Sequence, residues 1–151
     1  MKKILIQANN LDTVVDVFMY IYMHPGCTHQ EVADYCGFTL RQVQYYVNAC
    51  KYLDLLNDDW SKTALAIDIF TNHPAEVRDR VYARIISDEV MGQIFARMIL
   101  FPEDSHNEYA EDVVKDYFPG YSDTVYTRRA DNIVKWCKKI ISYINIKRQT
   151  I

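Results

Sequence analysis

"THQEVADYCGFTLRQVQYYVNACKYLDLL", residues 28–56, decides the fold, because it carries the same start signal twice. Thr28 is followed three residues later by Glu31, and Thr39 by Gln42. Each pair is a capping box, in which a hydroxyl and a carboxylate or amide satisfy backbone N–H groups that the first helical turn leaves without partners. Gly37 closes the first helix, since glycine takes the left-handed conformation at little cost, and Phe38 pins the turn. The spacing predicts a short helix with Val32, Ala33 and Cys36 on its apolar side. A longer one follows, turning Val43, Tyr46, Val47, Cys50 and Leu53 to a core. Two helices joined through "GFT" have the pattern of a helix-turn-helix. Arg41, Gln42, Gln44, Tyr45, Asn48 and Lys51 are left off the apolar side of the second.

Upstream, "LDTVVDVFMYIYMH" (11–24) has helical spacing and stops at "PGC". Downstream, "LLNDDWSKTALAIDIF" reads as strand, turn and strand. Asn57, Asp58 and Asp59 make the turn and Trp60 starts the return of a small β-wing. A helix from Thr63 fits the same residues, because "ALAIDIF" suits either period. "TNHP" (71–74) is the best internal boundary, giving a first unit over 1–73 and a second over 74–151. One or two helices are expected over 75–87 and 88–101, and one each over 108–118 and 124–144, the last with Val125, Ile133, Trp136, Cys137, Ile140 and Ile144 on one side. The order of short helix, tight turn and long helix thus occurs twice, at 28–54 and 108–144, as a shared plan with low sequence identity. The expected fold class is mainly α with small β-wings, two winged-helix halves in tandem.

Composition supports helices. Half of the 151 residues are hydrophobic, a quarter are charged, and Gly and Pro number only four each. The net charge of −3 is unevenly spread. Residues 124–151 hold seven Lys and Arg against one acid, a net +6, so residues 1–123 carry −9. Such asymmetry signals a charged partner, although a solvated basic tail has the same composition. The four Cys (27, 36, 50, 137) lack zinc-knuckle or redox spacing, and the four His are scattered. No phosphate loop or nucleophile elbow is present, and adjacent acids such as Glu111 and Asp112 do not share a helical face. The expectation is therefore no enzyme, no cofactor and no metal. With no apolar run of membrane-spanning length and no signal-peptide pattern, the expected setting is the cytoplasm.

Double-stranded DNA is the expected partner. Its affinity for proteins comes largely from Lys and Arg on phosphates, and sequence preference from Arg, Asn and Gln on base edges. Arg41, Gln42, Gln44 and Asn48 suit edge reading, Lys51 joins them as a DNA-binding residue on the same side, and Tyr45 and Tyr126 add hydroxyls for the backbone. Arg128, Arg129, Lys135, Lys138 and Lys139 suit a grip on phosphate. Helix 39–54 is expected in a major groove and helix 124–144 along a neighbouring one. The competing class is a protein-interaction or dimerisation module with the same fold, since fold does not fix function.

"RQVQYYVNACKYLDLL" (41–56) resembles the first-half signature of the tandem winged-helix DNA-recognition domains of bacterial type II restriction endonucleases and associated restriction-modification proteins. "YTRRADNIVKWCKKI" (126–140) is similar to their second-half signature, and the likeness spans about residues 13–144. It implies DNA recognition, with Arg41, Gln42 and Tyr45 matching the first motif and Arg128, Arg129 and Trp136 the second, Trp136 and Tyr46 being mostly core. Asp54 stands where those domains favour Gly and Asn132 where they favour Thr. Cys137 and Lys138 follow the Trp where apolar residues are commoner. Cleavage in that family resides in a separate nuclease domain, so the chain is expected to be either a recognition module, with a nuclease domain or partner protein as its companion, or a regulator.

Overall fold

A computed structural model describes residues 6–149. Among them the chain forms α1 (Leu11–Met23), α2 (His29–Cys36), α3 (Leu40–Tyr52), α4 (Ala64–Asn72), a 3-10 turn (Pro74–Glu76), α5 (Val77–Ile86), α6 (Glu89–Leu100), α7 (Asn107–Tyr117) and α8 (Asp123–Gln149). None of these helices is long and apolar enough to cross a membrane. The chain divides into two compact units, Met1–Arg84 and Ile85–Ile151, the division falling inside α5.

In the first unit α1 packs on α2 and α3. Both capping boxes form: Thr28 accepts from the Glu31 N–H and Thr39 from the Gln42 N–H, while the Glu31 and Gln42 side chains accept from the N–H groups of the two threonines. Gly37 sits at φ 70° and ends α2. Phe38 stacks on Tyr46 at 5.2 Å, so the turn is pinned by a ring contact. Val14, Val17, Phe18, Val32, Val43, Val47 and Cys50 are fully buried between these helices. At the C-terminus of α3, Leu55 N–H bonds to Cys50 C=O and Asp54 N–H to Lys51 C=O, with Asp54 at φ 59°. This is a Schellman closure, whose left-handed position normally goes to glycine.

The β-wings are not formed: the protein is all-helical and has no sheet among the described residues. At the expected first wing the strand pairing amounts to one antiparallel bridge, Leu56 with Lys62. The reason lies in how α4 starts. Asn57 C=O accepts from Trp60 N–H, and the chain then has only Ser61 and Lys62 before Thr63 caps α4 by accepting from Ala66 N–H. Thr63 Oγ1 also donates to Asp54 C=O at 2.7 Å, which locks the α4 start onto the α3 end. "ALAIDIF" therefore takes the helical period, burying Ala66 and Ile69. Phe70 stacks on Tyr22 at 3.8 Å and meets Phe18 edge-on. In the second unit α8 is one uninterrupted helix from Asp123 to Gln149, which leaves no returning strand there either.

The second unit packs α8 against α7 and α6. Asp88 caps α6, accepting from the N–H groups of Val90 and Met91. Ser122 accepts from Val125 N–H to open α8. Met91, Ile94, Ala110, Val114, Ala130, Trp136, Cys137 and Ile140 fill the core between the three helices.

Candidate nucleic-acid interface

Two surfaces hold the residues singled out by sequence, one on each unit. On α3 the outer edge is a set of side chains bonded to one another. Arg41 is exposed; its Nε donates to the Tyr45 hydroxyl at 2.6 Å, and its guanidinium lies 5.7 Å from the centre of that ring. Gln42 is exposed too, but its carbonyl accepts from the N–H (2.9 Å) and hydroxyl (3.3 Å) of Thr39, so half of its amide is committed to the cap. Gln44 Nε2 donates to Asn48 Oδ1 at 2.8 Å. Gln44 Oε1 faces His29 Nε2 at 3.2 Å, linking α3 to the first residue of α2. Gln44, Tyr45, Asn48 and Lys51 are each half-buried. A groove of about 370 Å³ runs beside Gln42 and Tyr45, bounded by Asn9, Asn10 and Phe38.

His29 and Trp60 extend this edge and were not singled out from the sequence. The Trp60 ring lies 4.4 Å from that of His29. The edge thus continues from Asn48 through Gln44 and His29 to an indole. Signals were available: His29 directly follows the α2 cap, and Trp60 follows the turn formers Asn57 to Asp59.

On α8 the charged residues are arranged differently. Arg128, Lys135, Lys138 and Lys139 are exposed and Arg129 is half-buried. At about 100° per residue, Arg128, Lys135 and Lys139 fall within roughly 40° of one another around the helix, a stripe about 16 Å long. Tyr126, Ala130, Ile133 and Cys137, on the opposite side, are buried. Among the described residues Arg128, Lys135 and Lys138 make no ion pair. Lys135 lies three residues from Lys138 and four from Lys139, where like charges cost a helix roughly 0.2–0.5 kcal/mol per pair. The acid of this segment, Asp131, accepts a short hydrogen bond from the Asn107 amide of α7.

Tyr126 is a correction. It was expected to offer its hydroxyl to a DNA backbone, but it is 5% exposed. Its hydroxyl donates to Phe118 C=O at 2.5 Å and accepts from Tyr121 N–H at 3.1 Å. The cause is its angular position: four residues before Ala130 and seven before Ile133, it shares their buried side of α8. Tyr126 fixes the α7–α8 turn and presents nothing to a ligand. Trp136 and Tyr46 are buried, and Tyr46 reaches Asn9 Oδ1 with its hydroxyl at 3.1 Å. Burial pushes the thiols of Cys50 and Cys137 up to about 12, so both are inert, uncharged core groups at neutral pH.

No group of three His, Cys, Asp or Glu side chains that could hold a metal converges among the described residues. No curated protein and no solved structure matches the chain. One family does, over residues 13–145, and on that extent the chain belongs to DUF7226, a domain of unknown function.

Proposed function

We propose that this protein is a cytoplasmic double-stranded DNA-binding module whose grip is the outward face of α8. The observation that carries the reading is the exposed stripe of Arg128, Lys135 and Lys139, with Lys138 beside it. A stripe about 16 Å long can meet several phosphates of one duplex strand, and each neutralised phosphate releases condensed counterions. Like charges kept together on one helix at a cost in stability are better explained by an anionic partner than by solubility, which interspersed signs serve as well.

The outer edge of α3 contributes selectivity in this reading. The Gln44 and Asn48 amides are held by each other, and Arg41 is braced by Tyr45, so the donors are pre-ordered before contact. Bidentate contacts from such side chains to base edges discriminate bases by roughly 1–3 kcal/mol each. The resemblance of residues 41–56 and 126–140 to recognition domains of restriction-modification proteins supports duplex DNA as the ligand and recognition as the role.

The test is fluorescence anisotropy of a labelled random-sequence duplex with the full chain over a salt series. Binding that weakens steeply and log-linearly with salt is the expected result. A duplex that stays free at low salt overturns the reading. A second reading, a protein-interaction module, has its own observation: Ile99, Leu100 and Phe101 end α6 as adjacent exposed apolar side chains, Leu100 at 70%. Self-association that is insensitive to salt, without duplex binding, favours it.

A further inference from the structure

A cleft of about 650 Å³ opens in the first unit between the α1–α2 loop and the α3–α4 loop. Its apolar and π surface comes from Ile21, Pro25, His29 and Trp60, and two carboxylates, Asp58 and Asp59, stand on its wall against one cation, Lys62. That cation is already engaged, its Nζ lying 4.2 Å from the centre of the Tyr22 ring. Asp59 accepts from the Ser61 hydroxyl at 2.6 Å and the Ser61 N–H at 3.0 Å. These bonds hold its carboxyl below the usual carboxylate range, so it is charged at neutral pH.

Trp60 is at φ 67°, in a region bulky side chains rarely enter. It is kept there by its N–H bond to Asn57 C=O, and by Asn57 Nδ2, which donates to Ser61 Oγ and Lys62 C=O. The result is an indole fixed at the cleft, 4.4 Å from the His29 ring.

We propose that this cleft binds an organic cation with an apolar body, a methylated ammonium, either free or carried on a peptide side chain. An indole face attracts such a cation through its quadrupole, and does so most strongly when the cation is weakly hydrated. Methyl groups suit Ile21 and Pro25, and Asp58 and Asp59 supply the countercharge. The same carboxylates repel phosphate, which separates this site in chemistry from the cationic face of α8. The inference does not rest on DNA binding.

Tryptophan fluorescence reads the site directly. The chain has two tryptophans, and Trp136 is a 1% exposed core residue of the second unit, so a ligand-dependent change reports Trp60. The full chain is titrated with tetramethylammonium chloride at ionic strength matched by sodium chloride, with tert-butanol as the neutral counterpart. A saturable emission change is expected with the ammonium, at least tenfold tighter than any change with tert-butanol. It is expected to vanish in Trp60→Phe and to weaken at least threefold in Asp58→Asn, whose side chain makes no hydrogen bond among the described residues. Choline and a trimethyl-lysine peptide identify the source: tighter choline binding assigns a free amine, tighter peptide binding a protein tail. A linear response, equal affinity for tert-butanol, an unchanged Asp58→Asn titration, or saturation by adenosine monophosphate instead overturns the proposal.

Discussion

The outer edge of α3 and the outer face of α8 look alike in sequence, as polar side chains opposite an apolar stripe, yet they are organised in opposite ways. On α3 the polar groups bond to one another: Arg41 to Tyr45, Gln42 to Thr39, Gln44 to Asn48 and His29. On α8 exposed cations of one sign are set side by side. A hydrogen-bonded edge stabilises its own unit and needs no partner to account for it. A like-charged face destabilises its helix slightly and is more informative about function. The difference separates an internally bonded edge from a face of exposed like charges, and it can be broken by substitution.

The largest expected effect is on α8. Replacing Arg128, Lys135 and Lys139 together by Ala should weaken duplex binding at low salt roughly a hundredfold. The Tm should change little, because all three side chains are exposed on the helix surface. Changing Gln44 to Ala should alter preference among duplex sequences while leaving random-duplex affinity within about tenfold. If the two variants have equal effects on random duplexes, the contrast between the faces is wrong.

Next in size is Tyr126→Phe. Removing a buried hydroxyl that serves Phe118 C=O and Tyr121 N–H should destabilise by about 1–3 kcal/mol in chemical denaturation, with duplex affinity unchanged once the protein is folded. A loss of affinity without loss of stability would return Tyr126 to the interface.

Asp54→Gly should stabilise the first unit by about 1 kcal/mol, because Asp54 occupies a left-handed position at φ 59° that glycine takes without strain. A rise in urea midpoint checks it. The smallest effect is expected from Gln42→Ala, which removes half of the α3 capping box and should cost about 0.5–1 kcal/mol. Duplex preference should not change; if it does, Gln42 reads DNA in spite of its cap.

What was legible in the sequence was local. The capping pairs Thr28–Glu31 and Thr39–Gln42, Gly37 and the "PGC" stop are each decided within four residues, and all appear as read. Helical spacing alone turns Arg128, Lys135 and Lys139 away from Ile133 and Cys137, whereas Arg129, four residues before Ile133, falls on its side and is half-buried. The wing was misread because its decision is not local. "ALAIDIF" satisfies both periods, and Thr63 Oγ1 reaching Asp54 C=O, nine residues back, selects the helix. Tyr126 was misassigned by residue type, although its spacing from Ala130 and Ile133 already put it inside. The Trp60–His29 contact joins residues 31 apart through two loops and has no periodic signature.

The central claim is that the α8 face grips phosphate. Its most direct test compares the slope of log affinity against log salt for one random-sequence duplex, in the native chain and in the Arg128→Ala, Lys135→Ala, Lys139→Ala variant. The slope should become shallower by about 2.7, the loss of three phosphate contacts. Parallel lines for the two proteins would contradict it.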